Sequence, residues 1–195
     1  FSISQQGDTS MAVTHDNLVV GFLNEQETFL GNYAQSALMS VNGSSTAYVG
    51  YNMDYQLNNN VSVFGNAMVG MTQLNVDSTS LMKDASTLLS NSATIGVRED
   101  YTGGERGFVA SLPVAVVSGE ATFTTPSTVS ASGEVEYAHS KSSLSSTRRE
   151  VSFGAYQNFD ITDNAVFKVN VETRLNYAGT GQTVTTAGVG FNWRF

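Results

Sequence analysis

At 195 residues the chain suits one domain with a sizeable core, yet only 13% of it is charged, about half the share of an ordinary soluble domain, while its 41% hydrophobic content is unremarkable. Nine Lys and Arg against seventeen Asp and Glu give a net charge of −8, which argues against nucleic acid as a partner. There is no cysteine, hence no disulfide framework or thiolate site, and no run of roughly 20 apolar residues that could form a transmembrane helix.

Residues 1–43 hold Asp8, Asp16, Glu25 and Glu27 and no Lys or Arg. Met11 and Val13, then Leu18, Val20 and Phe22, predict two short strands; residues 24–31 are polar, and 33–41 supply a third candidate strand. This segment is expected to be an irregular part of a wall, or a plug or linker. The chain opens on Phe1 and shows no signal peptide, so it is expected to be a mature or excised piece whose export signal lay upstream.

From residue 44 onward the pattern is regular. Ala47, Val49, Tyr51, Met53, Tyr55 and Leu57 alternate with Tyr48, Gly50, Asn52, Asp54 and Gln56, which puts the two sets on opposite faces of a strand. A turn at Asn58, Asn59 and Asn60 leads into Val61, Val63, Ala67, Val69 and Met71. Residues 76–90 lose the period of two and predict a long loop with a helical turn as an option. Ala93, Ile95, Val97 and Tyr101 resume the alternation, followed by a turn at 102–105 and by Phe108, Ala110, Leu112, Val114 and Val116. Ser118 and Gly119 predict either a sharp reversal or a glycine bulge.

Val151, Phe153 and Ala155 then face away from Arg148, Glu150, Ser152, Gly154 and Tyr156. After a tight turn at 160–163, Ala165, Phe167, Val169, Val171, Thr173, Leu175 and Tyr177 oppose Lys168, Asn170, Glu172 and Arg174. The closing stretch 182–195 sets Ala187, Val189, Phe191, Trp193 and Phe195 against Gly188, Gly190, Asn192 and Arg194.

This grammar predicts a single all-β domain over 1–195, regular from 44 to 195. The expected architecture is an antiparallel up-and-down transmembrane β-barrel of about ten strands, with eight and twelve as alternatives. A soluble β-sandwich would show the same alternation, but its water face would be rich in Lys and Glu, and the chain has three Lys in total.

No catalytic, cofactor or metal site is expected. His15 and Asp16 near Ser10 supply triad residue types without an activated nucleophile, and His139 near Glu134 and Glu136 lacks a further ligand. Asn42 and Asn60 match the glycosylation pattern by composition alone. Arg148, Glu150, Lys168, Glu172 and Arg174 are expected to form a lumenal charge network, each charge offsetting the burial of another.

Several stretches together resemble the C-terminal autotransporter-type barrel of secreted subtilisin-like serine peptidases of Gram-negative bacteria. They are Val63-Phe-Gly-Asn66 with Met68-Val-Gly-Met-Thr72; Leu112-Pro-Val-Ala-Val-Val-Ser-Gly-Glu-Ala121 with Pro126; Arg149-Glu150 before Phe153-Gly-Ala-Tyr156; and Phe191-Asn-Trp-Arg-Phe195. The resemblance covers roughly 45–195, although family barrels use more strands and residues than are available here. It implies a non-enzymatic outer-membrane translocator or anchor for a covalently linked upstream passenger, to which any peptidase activity would belong. It also implies outer-membrane lipid and the barrel assembly machinery as partners, the latter reading Phe191, Trp193 and Phe195 as its signal. The alternatives are a soluble secreted β domain for binding or for surface-layer or fibre assembly, and a free-standing small outer-membrane adhesin or structural barrel.

Overall fold

The computed structural model describes residues 2–3, 8–33, 36–162 and 164–193, and among these there is no helix. The strands are β1 (Ser2–Ile3), β2 (Thr9–His15), β3 (Leu18–Gln26), β4 (Thr28–Phe29), β5 (Asn32–Tyr33), β6 (Val41–Gln56), β7 (Val61–Val76) and β8 (Met82–Ala85). They continue as β9 (Leu88–Tyr101), β10 (Gly104–Ser118), β11 (Glu120–Val129), β12 (Val135–Ser143), β13 (Val151–Thr162), β14 (Ala165–Tyr177) and β15 (Gln182–Trp193). Ten of them form one sheet in the order β1-β2-β3-β6-β7-β9-β10-β13-β14-β15, and β12-β11-β8 form a second. The all-β, antiparallel, up-and-down order of about ten strands is thus as the alternation predicts.

Turn chemistry alternates along the chain. Short connections, β2 to β3, β6 to β7 and β9 to β10, take turns with longer ones, β7 to β9 and β10 to β13. Two of the tight turns have a plain local cause. Asn58 Oδ1 accepts the N–H groups of Asn60 and Val61, both at 2.9 Å, so the side chain substitutes for a backbone acceptor. Gly103 supplies the positive φ (99°) of the β9–β10 hairpin, and its carbonyl oxygen accepts the N–H of Asp160 at 2.9 Å.

Three expectations are corrected. Ser118 and Gly119 are neither a hairpin reversal nor a bulge within one strand: β11 leaves the large sheet and pairs with β12 and β8. Gly119 has φ 149°, and a Cβ there would collide with Leu88 Cδ2. Beyond it Ala121 and Phe123 are drawn into an apolar cluster instead of a ladder with β10. The expected loop 76–90 likewise contains β8 and the start of β9, with no helical turn. The third N-terminal candidate, 33–41, is not one strand: β5 ends at Tyr33 and β6 begins at Val41.

The chain divides into two compact units, one of Phe1–Val49, Val69–Asn91 and Val116–Ser145, the other of Gly50–Met68, Ser92–Ala115 and Ser146–Phe195. The first holds a conventional core of Val41, Met82 and Ala121, flanked by Phe29, Met39, Leu74 and Phe123. Full burial of Met82 stabilises it by about 1.5–3 kcal/mol. The same unit buries Glu25, whose carboxylate accepts the N–H groups of Leu30 and Gly31, both at 2.7 Å, and the Ser44 hydroxyl at 3.0 Å. These bonds fix a loop in which Glu27 and Leu30 take positive φ. Asp77 organises the turn before β8 by accepting the N–H and the hydroxyl of Thr79, both at 2.8 Å.

The second unit has no comparable apolar core among the described residues and depends on ladders. β13 and β14 pair from Val151↔Leu175 to Thr162↔Ala165, and β14 and β15 from Ala165↔Trp193 to Tyr177↔Gln182. Aromatic rings on the polar faces close over glycines of neighbouring strands: Phe64 over Gly96 and Tyr156 over Gly107, with Tyr48 over Gly21 repeating the device in the first unit. A Cβ at Gly107 would lie 2.6 Å from the Tyr156 ring, whereas one at Gly154 would meet only the Val171 carbonyl oxygen at 3.6 Å.

Two predictions follow from these contacts. Gly107→Ala is expected to lower stability by about 1–3 kcal/mol through overpacking, and Gly154→Ala to change it little, read as urea-unfolding midpoints; equal midpoints would contradict the ring-on-glycine account. The Thr79 hydrogen bonds hold the Asp77 carboxyl below its ordinary value of 3.8, so their contribution is present above that pH and is lost as the pH falls through the depressed folded value. The Thr79 amide shift should therefore titrate with a midpoint below 3.8, and a midpoint above it would refute the assignment.

Candidate functional site

Over much of the sheet apolar side chains are exposed, while several polar ones are buried. In β6, Ser44 and Thr46 are 3% and 4% exposed while Tyr51 is 53% exposed; in β7, Thr72 is fully buried and Met71 is 56% exposed. The buried hydroxyls pair with one another: Thr46 and Thr72 lie 2.8 Å apart between their Oγ1 atoms. Among the described residues eight polar or charged side chains are buried against five hydrophobic ones, the reverse of a water-soluble core.

The second unit carries the apolar face furthest. Phe159, Phe167 and Phe191 stand side by side on three successive strands, because Phe159 pairs with Phe167 and Phe167 with Phe191. The Phe159 and Phe167 rings lie 6.1 Å apart, and Phe191 meets Trp193 edge to face at 6.3 Å. Phe191 and Trp193 are both exposed. Of the expected assembly signal, Phe195 lies outside the described residues.

The expected charge network is brought together in part. Arg174 Nη2 donates to Glu172 Oε2 at 2.9 Å, and Arg174 Nη1 lies 3.8 Å from Glu150 Oε1. Glu150 Oε2 also accepts the Ala178 N–H at 2.9 Å, tying the end of β14 and the turn after it, where Asn176 and Ala178 take positive φ, to the residue before β13. Lys168 pairs in register with Asn158 and Gly190 and is exposed, away from the Arg174 cluster. Arg148 lies beside Gly181, where a Cβ would sit 2.5 Å from its Nη1. No ion pair of Arg148 or Lys168 occurs among the described residues.

Two further ion pairs escaped the sequence reading. Arg98 Nη2 bonds Asp54 Oδ2 at 2.7 Å on the polar face, with the guanidinium over the Phe64 ring at 6.0 Å. Arg106 Nε bonds Glu99 Oε2 at 2.8 Å and stacks over Tyr101 at 5.7 Å. Parity places Glu99 with Ile95 and Val97, and Arg106 with Phe108 and Ala110, so this pair stands on the apolar face. The period of two carried that signal, since both residues interrupt apolar sets already recognised.

The weighed catalytic residues remain apart. Ser10 and His15 fall on opposite faces of β2, and His15, 3.7 Å from Asp16, is almost fully exposed. His139 Nδ1 lies 2.9 Å from Thr124 Oγ1, and no group of three or more metal-ligating side chains occurs among the described residues. Asn42 and Asn60 are exposed. Comparison with protein families, curated proteins and solved structures finds no match for this chain.

Glu150 offers the sharpest test of the charge cluster. Glu150→Ala should destabilise by about 1–2 kcal/mol by leaving the Ala178 N–H without its acceptor, and Glu150→Gln by less. Chemical unfolding checks the order, and limited proteolysis of 178–181 should accelerate in the alanine variant; equal stability of both with wild type would dismiss the tie.

Proposed function

We propose that this chain is a non-enzymatic outer-membrane β-barrel that serves as translocator or anchor for an upstream passenger, in the manner of the autotransporter-type domains it resembles. The observation that carries the proposal is the inverted polarity of the large sheet, with Val, Phe, Met and Tyr outward and Ser, Thr and Gly buried. Exposed strands of this kind are costly in water and stable in lipid, provided every backbone group is paired; closing the ladder into a barrel achieves that. The aromatic row Phe159, Phe167 and Phe191, with Trp193, suits the boundary between hydrocarbon and head groups.

In this proposal the partners are the lipid around the wall and the assembly machinery, which would add the last strand to its own edge and grip Phe191, Trp193 and Phe195. A free-standing outer-membrane adhesin is a second proposal. It is favoured by the side sheet, whose β12 is exposed along its whole length and presents Tyr137 beside Ser and Thr side chains.

Expression in a Gram-negative host with an export signal separates these readings from a soluble domain. A band that migrates faster before heating and enters the soluble phase only with detergent is expected, and a monomer stable without detergent would refute a membrane barrel. Replacing Phe191 and Trp193 together by Ser should reduce the inserted fraction by about tenfold or more while leaving synthesis intact. Passage of a reporter fused upstream of residue 1 to the cell surface distinguishes the translocator from the adhesin.

A further inference from the structure

The apolar face of the second unit contains a groove of about 570 Å³, and one end of it is polar. Its floor is Ala155, paired on one side with Phe108 and on the other with Val171; Phe108, Phe159, Val169 and Val171 raise its walls. The groove exists because a small residue stands in a row of large ones. Arg106 and Gln157, which pair directly, form its polar end together with Glu99.

This end is ordered. Arg106 is held by its Nε bond to Glu99 at 2.8 Å and by stacking on Tyr101, while Tyr101 accepts a hydrogen bond from Gln157 Nε2 at 3.1 Å and donates to the Asn158 carbonyl oxygen at 3.1 Å. Arg106 and Glu99 side chains remain 56% and 40% exposed, so both charges can still meet a ligand. The hydrogen bond from Arg106 to Glu99 uses its Nε, so the two Nη groups of the half-exposed guanidinium are not engaged by that bond. A fixed cation beside a fixed anion, at the mouth of an acyl-wide apolar groove, is complementary to one zwitterionic amphiphile.

We propose that this groove binds a phosphatidylethanolamine molecule, with an acyl chain over Ala155, the phosphate on Arg106 and the ammonium on Glu99. The proposal rests on the membrane reading above. Phosphate matches the planar guanidinium through charge-assisted hydrogen bonds, and a primary ammonium can donate to the carboxylate where a trimethylammonium cannot. An anionic head without an ammonium would satisfy Arg106 and meet repulsion from Glu99.

The test uses the full chain, reconstituted in vesicles of equal parts phosphatidylethanolamine, phosphatidylcholine and phosphatidylglycerol of matched acyl chains, then released in mild detergent and weighed with its retained lipids. Wild type is expected to keep phosphatidylethanolamine about tenfold over the other two, and Arg106→Gln and Glu99→Gln each to erase that preference. Ala155→Leu, which fills the floor, should reduce retention of all three lipids while heat-modifiable migration persists. Equal retention of the three lipids by wild type, or an unchanged preference in Arg106→Gln, would overturn the lipid site and leave the barrel standing. Failure of wild type to insert into vesicles would overturn both, and the migration assay reports that outcome separately.

Discussion

A paired strand satisfies its own backbone, and this single property releases the large sheet from the need for a core. Each N–H and C=O between β10, β13, β14 and β15 can find its partner in the ladder irrespective of which way the side chains look. Side chains are then free to follow the medium. On one face they have become large and apolar; on the other they are small or polar and pair with one another, as Thr46 with Thr72 and Ser111 with Ser152 do. A sheet whose cohesion came from side-chain burial would collapse on this inversion of polarity. One whose cohesion comes from the ladder tolerates it.

The two units show the contrast within one chain. In the first, Met82, Val41 and Ala121 exclude water in the usual way, and the buried Glu25 is tolerated because three donors converge on its carboxylate. In the second, the exposed apolar face contributes nothing in water, so stability falls to register and close approach. Glycines opposite aromatic rings serve both. The ring of Tyr156 fits only over a residue without a Cβ, and a register slip would move it onto Arg106 or Phe108.

Legibility in the sequence followed the same division. Strands β6, β7, β9, β10, β13, β14 and β15 could be read from alternation because each keeps a period of two over twelve or more residues, as do the short β2 and β3 in outline. The side sheet could not. Ala121 and Phe123 continue the apolar parity of a strand, and nothing local distinguishes a strand that pairs with its predecessor from one recruited by Met82, about forty residues earlier. Of the charged residues, Glu150, Glu172 and Arg174 could be grouped because they share one face of neighbouring strands. Lys168 shares that face but lies six residues along the strand from Arg174, a distance that parity does not report. The Ala178 N–H that Glu150 accepts was also invisible, since it depends on the positive φ of a non-glycine residue.

The charges that interrupt the apolar face are the most informative departures from the grammar. An isolated Arg on a lipid-facing strand carries a penalty that depends on depth, large at the bilayer centre and small near the head groups. Arg106 lies two residues after the start of β10 and Glu99 two before the end of β9, so the pair flanks the tight turn at 102–103. Within the proposed barrel this places both charges at the rim, where their mutual bond and the Tyr101 ring offset part of the lost hydration. Phe108 and Ile95, further from the turn, meet no such interruption. Along β9 and β10 the apolar face thus runs from charge and Tyr at the turn to Val, Phe and Ile beyond it, which is the order of polarity that the proposed barrel would need between head groups and hydrocarbon.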